Sequence, residues 1–185
     1  MSLKKFLGIL CLLACIVLPT NRLEAVPTVA VLPFDNKSAK QTTESLENAL
    51  EVTREYVEEE IFDTHRFQQV PRTPEYIQKT LDEIKFDHSG LVDPATAARY
   101  GKMLGAQYLV LGTVTGISFK GNETIAHLSL RMIEVERAVI TLAGRGTGKA
   151  KGKSKDDIQE ALQKAADDAL NGKRGMLTMM RGRKK

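Results

Sequence analysis

The stretch QYLVLGTVTGISFKGNETIAHLSLRMIEVERAVITLAGRGTGKA, residues 107–150, decides the fold. Short polar segments divide it into three runs rich in apolar and β-branched residues, namely Gln107–Phe119, Thr124–Val135 and Ala138–Ala150. The dividing segments, Lys120–Glu123 and Glu136–Arg137, are typical of tight turns between neighbouring antiparallel strands. The stretch therefore predicts a three-stranded antiparallel meander.

The middle run of the meander alternates polar and apolar side chains. One set comprises Ile125, His127, Ser129 and Arg131, and the other comprises Ala126, Leu128, Leu130 and Met132. Because successive side chains of a strand point to opposite faces, this pattern predicts a sheet with one buried and one solvated face.

The segments around the meander predict two further strands and four helices. Thr28–Phe34 and Phe67–Pro71 are short β-type runs, each closed by a turn signal. Capping residues and apolar periodicity predict helices from Thr42, over Thr73–Ile84, over Asp93–Leu104 and over Asp156–Leu170. The expected fold class is α/β, with a single mixed sheet, a C-terminal antiparallel meander and helices packed on the sheet, in the order βαβααβββα.

The helix that begins at Thr42 is amphipathic. Its apolar stripe is Leu46, Leu50, Thr53, Val57 and Ile61. Its acidic residues occupy the other face and form a candidate docking face for a basic partner: Glu44, Glu47, Glu51, Glu55, Glu58 and Glu59. The alternative interpretation is an ordinary solvated helix face.

The N-terminus has the pattern of an export signal. Lys4 and Lys5 precede Phe6–Leu18, an apolar run of thirteen residues. A helix of that length rises about 20 Å, which is less than the roughly 30 Å of a bilayer core. We therefore expect a signal peptide over residues 1–25, and an exported protein in the periplasm or at the periplasmic face of the outer membrane.

Two processing routes are open. Leu23-Glu24-Ala25 supplies a small residue for cleavage between Ala25 and Val26. Alternatively, Leu12-Leu13-Ala14-Cys15 resembles a lipobox, in which Cys15 is lipidated and the membrane is contacted only through that anchor. Cleavage at Ala25 would leave a mature protein without cysteine, which excludes a disulfide or a cysteine-based metal site.

Charge and composition exclude some partners. The chain has no Trp and only 5% aromatic residues, which disfavours carbohydrate clefts and base-stacking surfaces. Removal of the signal takes away three basic residues and one acid, so the net charge falls from +4 to +2 and nucleic acid is not an expected partner. Residues 171–185 contain six basic residues and no acid, and we expect them to form a flexible tail beyond a domain of residues 26–170.

No pattern in the chain predicts catalysis, a cofactor or a metal. Gly148-x-x-x-Gly152-Lys153-Ser154 resembles a phosphate-binding loop but has three residues between the glycines instead of four. Gly144, Gly146 and Gly148 lie within a strand, where glycine indicates a bulge or a close backbone approach. The histidines His65, His88 and His127 are scattered without metal-ligand spacing.

Several segments together resemble the CsgG-like family. They are Thr28–Phe34 (TVAVLPF) with Asp35-Asn36, Arg66–Val70 (RFQQV), Ser89–Asp93 (SGLVD) and, most specifically, Ala97–Val114 (AARYGKMLGAQYLVLGTV). The family includes the curli secretion channel subunit and, more distantly, LpoB-type activators of penicillin-binding proteins. The resemblance covers roughly residues 27–170. It implies a periplasmic domain without catalysis, often lipid-anchored and sometimes a ring-forming homo-oligomer.

The chain departs from both branches of that family. It lacks two hairpins long enough to cross the outer membrane, which a channel needs. It also lacks the long N-terminal linker of LpoB-type activators. We therefore expect a non-enzymatic envelope protein that contacts other envelope proteins. The alternatives are a subunit of an oligomeric secretion channel and, from another class, a nucleotide-binding protein or enzyme.

Overall fold

The computed structural model describes residues 25–38, 44–70, 75–76, 79 and 93–182. The strands are β1 (Thr28–Val31), β2 (Asp35–Asn36), β3 (Gln68–Gln69), β4 (Tyr108–Lys120), β5 (Glu123–Glu134) and β6 (Val139–Lys151). The helices are α1 (Glu44–Phe62), α2 (Pro94–Leu104), α3 (Lys155–Asn171) and α4 (Met176–Gly182). The predicted helix over Thr73–Ile84 is described only at Glu75, Tyr76 and Lys79, which are helical. The loop at 89–92 lies outside the described residues.

All six strands form one mixed sheet in the order β3-β1-β4-β5-β6, with β2 paired to β4. The pairs β1–β3, β1–β4 and β2–β4 are parallel, and the pairs β4–β5 and β5–β6 are antiparallel. The predicted α/β class, mixed sheet and C-terminal meander are confirmed, and the meander strands differ from their predicted bounds by one residue at each end.

Helices cover the two faces of the sheet unequally. Side chains of α1, α3 and α4 pack with Val29, Val110 and Leu128 in the larger core cluster. On the opposite face, α2 packs with Leu32 and Leu109 in a smaller cluster. Because β5 and β6 extend beyond this smaller cluster, their outward face carries alternating exposed side chains, as the sequence pattern predicts.

Local capping defines α2 and α3. The Asp93 side chain accepts hydrogen bonds from two backbone N–H groups at the start of α2, and Gly105 ends that helix with a left-handed φ of 74°. Ser154 and Asp157 form a reciprocal capping box at the start of α3. These caps place the two helices where the sequence predicts them.

The C-terminal segment differs from the expected flexible tail. Residues 176–182 form α4, in which Met176 and Leu177 are fully buried in the larger core cluster. Arg66 Nη1 also donates a hydrogen bond to the Met180 carbonyl oxygen at 3.1 Å. The physical reason is that the apolar side chains of this segment meet α3 and β6, which outweighs its high charge.

Within the part of the chain that the structure describes, no helix is both long enough and apolar enough to span a membrane. The predicted signal peptide lies outside that part, apart from its last residue, Ala25.

Candidate functional site

The acidic docking face predicted from the sequence lies along α1. At about 100° per residue, its six glutamates fall within about 120° of the helix circumference. Five of them are exposed, namely Glu44, Glu47, Glu51, Glu55 and Glu59, while Glu58 is half-buried. The opposite face of α1 holds the predicted apolar stripe, which is buried as expected. The helix therefore presents a row of carboxylates to solvent.

Arg54 neutralises part of this row. Its Nη2 contacts Glu51 Oε1 at 2.6 Å, and its Nη1 contacts Glu58 Oε2 at 2.7 Å. The other Glu58 oxygen accepts a hydrogen bond from Gln69 Nε2 at 2.9 Å, which links α1 to β3. Burial acts to lower the pKa of Arg54, but the hydrogen bonds and charges of the two glutamates outweigh it, so the pKa is raised. Glu51 and Glu58 thus have a structural role beside the exposed carboxylates.

A second set of polar contacts joins α1 to α3. Asn171 Nδ2 donates hydrogen bonds to Glu60 Oε2 at 3.1 Å and to Asp167 Oδ1 at 3.0 Å. The Tyr56 hydroxyl donates to the same Asp167 oxygen at 3.4 Å. Burial of the phenol, together with the charges of Glu60 and Asp167, raises the pKa of Tyr56 to about 12. The hydroxyl therefore remains protonated at neutral pH and acts as a donor between the helices.

The predicted processing residues fall at and before the edge of the described chain. Cys15 lies outside the described residues. Ala25 and Val26 are exposed and directly precede β1. They line an open cleft together with residues such as His65 and Arg66. Neither cleavage at Ala25 nor lipidation at Cys15 is tested by this arrangement, and both stay predictions.

The segment that resembles a phosphate-binding loop has a structural role. Ser154 caps α3 and exchanges hydrogen bonds with Asp157. Gly148 lies within β6, and a Cβ built on it would overlap the Ala161 carbonyl oxygen of α3. The glycines therefore allow close packing of strand and helix. Of the two interpretations of the sequence, a bulge and a close backbone approach, the second is correct. Among the described residues, no group of three or more His, Cys, Asp or Glu side chains is placed to hold a metal ion.

A second polar surface lies on the outward face of the meander, and the sequence pattern did not identify it as a site. A groove there is lined by Thr115, His127, Ser129, Arg131, Arg145 and Thr147. The alternation in β5 had placed His127, Ser129 and Arg131 on the solvated face. The strand register, which brings Arg145 of β6 opposite Ser129, is what groups these residues.

Comparison with known proteins places this chain among envelope proteins. It matches the family model described as "Peptidoglycan-synthase activator LpoB" over residues 14–147. No curated protein matches it in sequence.

Several solved structures are similar to the chain. The PelC dodecamer from Paraburkholderia phytofirmans has 14% identity and a TM-score of 0.50, over 80% of this chain and 88% of that chain. Lipoprotein GNA1162 from Neisseria meningitidis has 13% identity and a TM-score of 0.49, over 68% and 83% of the two chains. The LpoB C-terminal domain from Escherichia coli has 14% identity and a TM-score of 0.47, over 70% and 87%. At these identities, the likeness to PelC supports the fold alone.

The family match corrects the assignment made from sequence patterns. The resemblance included LpoB-type activators as distant members, and that part is confirmed. The CsgG-like label, and with it the secretion-channel alternative, finds no support. The matched region contains Cys15 and the whole acidic face of α1. The chain belongs to the LpoB family of peptidoglycan-synthase activators.

Proposed function

We propose that this protein is a non-enzymatic activator that binds a peptidoglycan synthase in the bacterial cell envelope. The observation that carries the proposal is the family match over residues 14–147. Arg54, Tyr56 and Ser154 agree with it, because these three polar side chains serve in ion pairs, helix contacts and caps. We infer that the protein acts through its surface.

We propose the acidic face of α1 as the surface that contacts the synthase. Glu44, Glu47, Glu55 and Glu59 form no hydrogen bond or ion pair through their side chains with any described residue. Their helix is anchored by buried Val57 and Ile61, so the backbone positions of the glutamates are fixed on one side of the helix. A row of negative charge fits a basic partner surface and accelerates encounter with it.

We propose that export brings this domain to the periplasm, where its partner acts. We propose lipidation at Cys15 because Leu12-Leu13-Ala14-Cys15 resembles a lipobox; the alternative is cleavage at Ala25, and both sites lie inside the region matched by the family. Replacement of Cys15 by Ser tests this point in cells labelled with a radioactive fatty acid. A label that is lost in the variant supports the anchor, and an unlabelled wild-type protein excludes it.

The function is tested by reconstitution with the cognate peptidoglycan synthase. We expect the purified protein to increase the rate of glycan polymerisation and to bind the synthase directly. The variant Glu55→Lys with Glu59→Lys reverses two exposed charges and should weaken binding at least about tenfold, or about 1.4 kcal/mol. The matched control, Glu123→Lys with Glu136→Lys, reverses two exposed charges elsewhere and should bind as wild type.

Two results would count against this assignment. Absence of both binding and stimulation would reject synthase activation. If the α1 variant still stimulates the synthase as wild type does, the acidic face is rejected as the contact surface, but the activator function stands.

A homo-oligomer remains a prediction for this chain. The PelC structure, which has a similar fold, is a dodecamer, so the fold is compatible with self-assembly. Light scattering coupled to size-exclusion chromatography, with and without detergent, measures the state directly. A dimer or larger species in solution would confirm self-assembly, a monomer would contradict it, and a large ring that depends on detergent would support a channel-like assembly.

A further inference from the structure

The outward face of the meander contains a groove of about 400 Å³. A β-bulge shapes one side of it. Val114 pairs with Leu128 and Gly116 pairs with His127, so Thr115 is an extra residue in β4 without a direct partner in β5. Bulges re-aim side chains and are common beside functional sites. Here the bulged residue, Thr115, lines the groove.

Two arginines from neighbouring strands line the same groove. Arg145 of β6 lies opposite Ser129 of β5, and Arg131 is two residues along β5, so the arginines are diagonal neighbours on one face. Neither forms a hydrogen bond or ion pair with any described residue. Like charges in this position repel each other, and an anion bound between them would remove the repulsion.

Hydroxyl groups and a histidine complete the groove. His127 Nδ1 is 3.0 Å from Thr147 Oγ1, and the Thr115 hydroxyl donates to the His127 carbonyl oxygen at 3.4 Å. These contacts fix the imidazole ring and both threonines. Ser129 lies on the same surface, directly opposite Arg145 and two residues before Arg131.

We propose that this groove binds the phosphate group of an anionic ligand. One guanidinium satisfies the two oxygens of a carboxylate, whereas a phosphate offers three or more acceptor oxygens. The groove supplies two guanidinium forks together with the Ser129 hydroxyl, which forms no hydrogen bond with a described residue, and this set of donors matches the larger acceptor set. Because the groove faces away from α3 and the acidic face of α1 is a separate surface, this site goes beyond the proposed synthase contact.

Two sources could supply this phosphate chemistry, namely a soluble diphosphate and the headgroup of a membrane phospholipid. Inorganic pyrophosphate is the probe for the first source, titrated into the ¹⁵N-labelled domain and followed at the amides of Thr115, His127 and Thr147. Vesicles containing phosphatidylglycerol, compared with phosphatidylcholine alone, are the probe for the second. Both are measured at low and at physiological salt, since surface charge effects are screened by salt.

The decisive variant is Arg131→Gln with Arg145→Gln. Loss of two charge-assisted contacts should weaken pyrophosphate or vesicle binding at least about tenfold. The matched control is Lys149→Gln with Lys151→Gln, which removes two charges from the same face of β6 outside the groove and should change affinity less than about threefold. Because neither arginine has a described partner, the decisive variant should also unfold at the wild-type temperature.

Each outcome decides the proposal. Loss of binding in the arginine variant but not in the lysine variant supports the phosphate site. The probe that binds, pyrophosphate or vesicles, identifies the source of the phosphate. Equal losses in the arginine and lysine variants would show a general charge effect and overturn the site. Failure of both pyrophosphate and phosphatidylglycerol vesicles to bind would overturn it as well.

Discussion

Gly146 of β6 lies so close to Ala165 of α3 that a Cβ atom on the glycine would overlap the Ala165 carbonyl oxygen. The same relationship joins Gly148 to Ala161 and Gly144 to Ala169. Three glycines at alternate positions of the strand thus face three alanines spaced one helical turn apart. This seam brings the backbones of β6 and α3 together and closes the larger core cluster.

We predict that Gly146→Ala destabilises the protein by about 3 kcal/mol or more, because backbone atoms of α3 cannot move aside like a flexible side chain. Urea unfolding followed by circular dichroism measures the change. The control is Gly116→Ala in β4, where a Cβ would lie 3.5 Å from His127 Cδ2, an ordinary contact. Equal losses in both variants would contradict the proposed role of the seam.

Much of the fold could be predicted because its signals are local. Turn residues divide the strands of the meander, and the caps at Asp93 and Ser154 mark the starts of their helices. The glycines of β6 indicated either a bulge or a close approach, and choosing between them required α3 to be in place. The bulge at Thr115 has no comparable signal, since only the pairing with β5 creates it.

The surfaces were harder to predict, because they depend on contacts between distant residues. The acidic face of α1 follows from helical spacing, and the three- and four-residue spacings from Arg54 to Glu51 and Glu58 could have indicated their ion pairs. The packing of α4 could not be inferred from its charges, since its burial depends on α3 and β6. Likewise, the pairing register alone brings Arg145 beside Arg131.

We predict that Arg54→Ala destabilises the protein by about 2 kcal/mol. The substitution leaves the half-buried Glu58 carboxylate without its cation and removes a buried side chain. Thermal unfolding at neutral pH measures the effect. Arg137→Ala breaks an ion pair with Glu134 in which the arginine is exposed, and it should leave the unfolding temperature close to that of wild type. If both variants behave alike, the Arg54 ion pairs contribute no more than a surface pair.

We predict that Leu177→Ala destabilises the protein by about 2 to 5 kcal/mol, because Leu177 is fully buried in the core cluster beneath α4. Met179→Ala on the same helix is the matched control, since Met179 is 39% exposed and should have little effect. Urea unfolding distinguishes the two. A Leu177 variant as stable as wild type would restore the expectation of a flexible tail.

We predict that Asp157 contributes to acid unfolding. Hydrogen bonds from the Ser154 hydroxyl and backbone N–H lower the pKa of this carboxyl. Because the pKa is lowered in the folded state, the ionised carboxylate stabilises the folded protein above the ordinary aspartate pKa of about 3.9. This stabilisation is lost as the pH falls through the lowered folded value.

The variant Asp157→Asn should therefore lose less stability than wild type between pH 5 and pH 2. Urea midpoints measured across that range test this expectation. Asp156→Gln is the control and should retain the wild-type acid dependence, since this exposed acid of the same first turn forms no hydrogen bond or ion pair with a described residue. If the urea midpoint of Asp157→Asn falls with pH as steeply as that of wild type, other carboxyls are responsible for acid unfolding.

We predict that side chains of α3 prevent strand addition at the outer edge of β6. Asp168 Oδ2 accepts a hydrogen bond from the Thr147 N–H at 3.0 Å, and Lys164 Nζ donates to the Lys149 carbonyl oxygen at 3.2 Å. These backbone groups belong to the last strand of the sheet order, where unpaired groups invite another chain to pair. Removing both side chains should therefore promote association between copies.

The variant Lys164→Ala with Asp168→Ala should form dimers or larger species as its concentration rises, while wild type does not change its state over the same range. Light scattering with size-exclusion chromatography measures this. The control, Lys155→Ala with Asp156→Ala, removes one exposed base and one exposed acid from α3 near its start. Association in the edge variant alone would show that these two contacts protect the strand, since both variants lose the same charges. Association of both variants to the same extent would instead attribute it to lost surface charge.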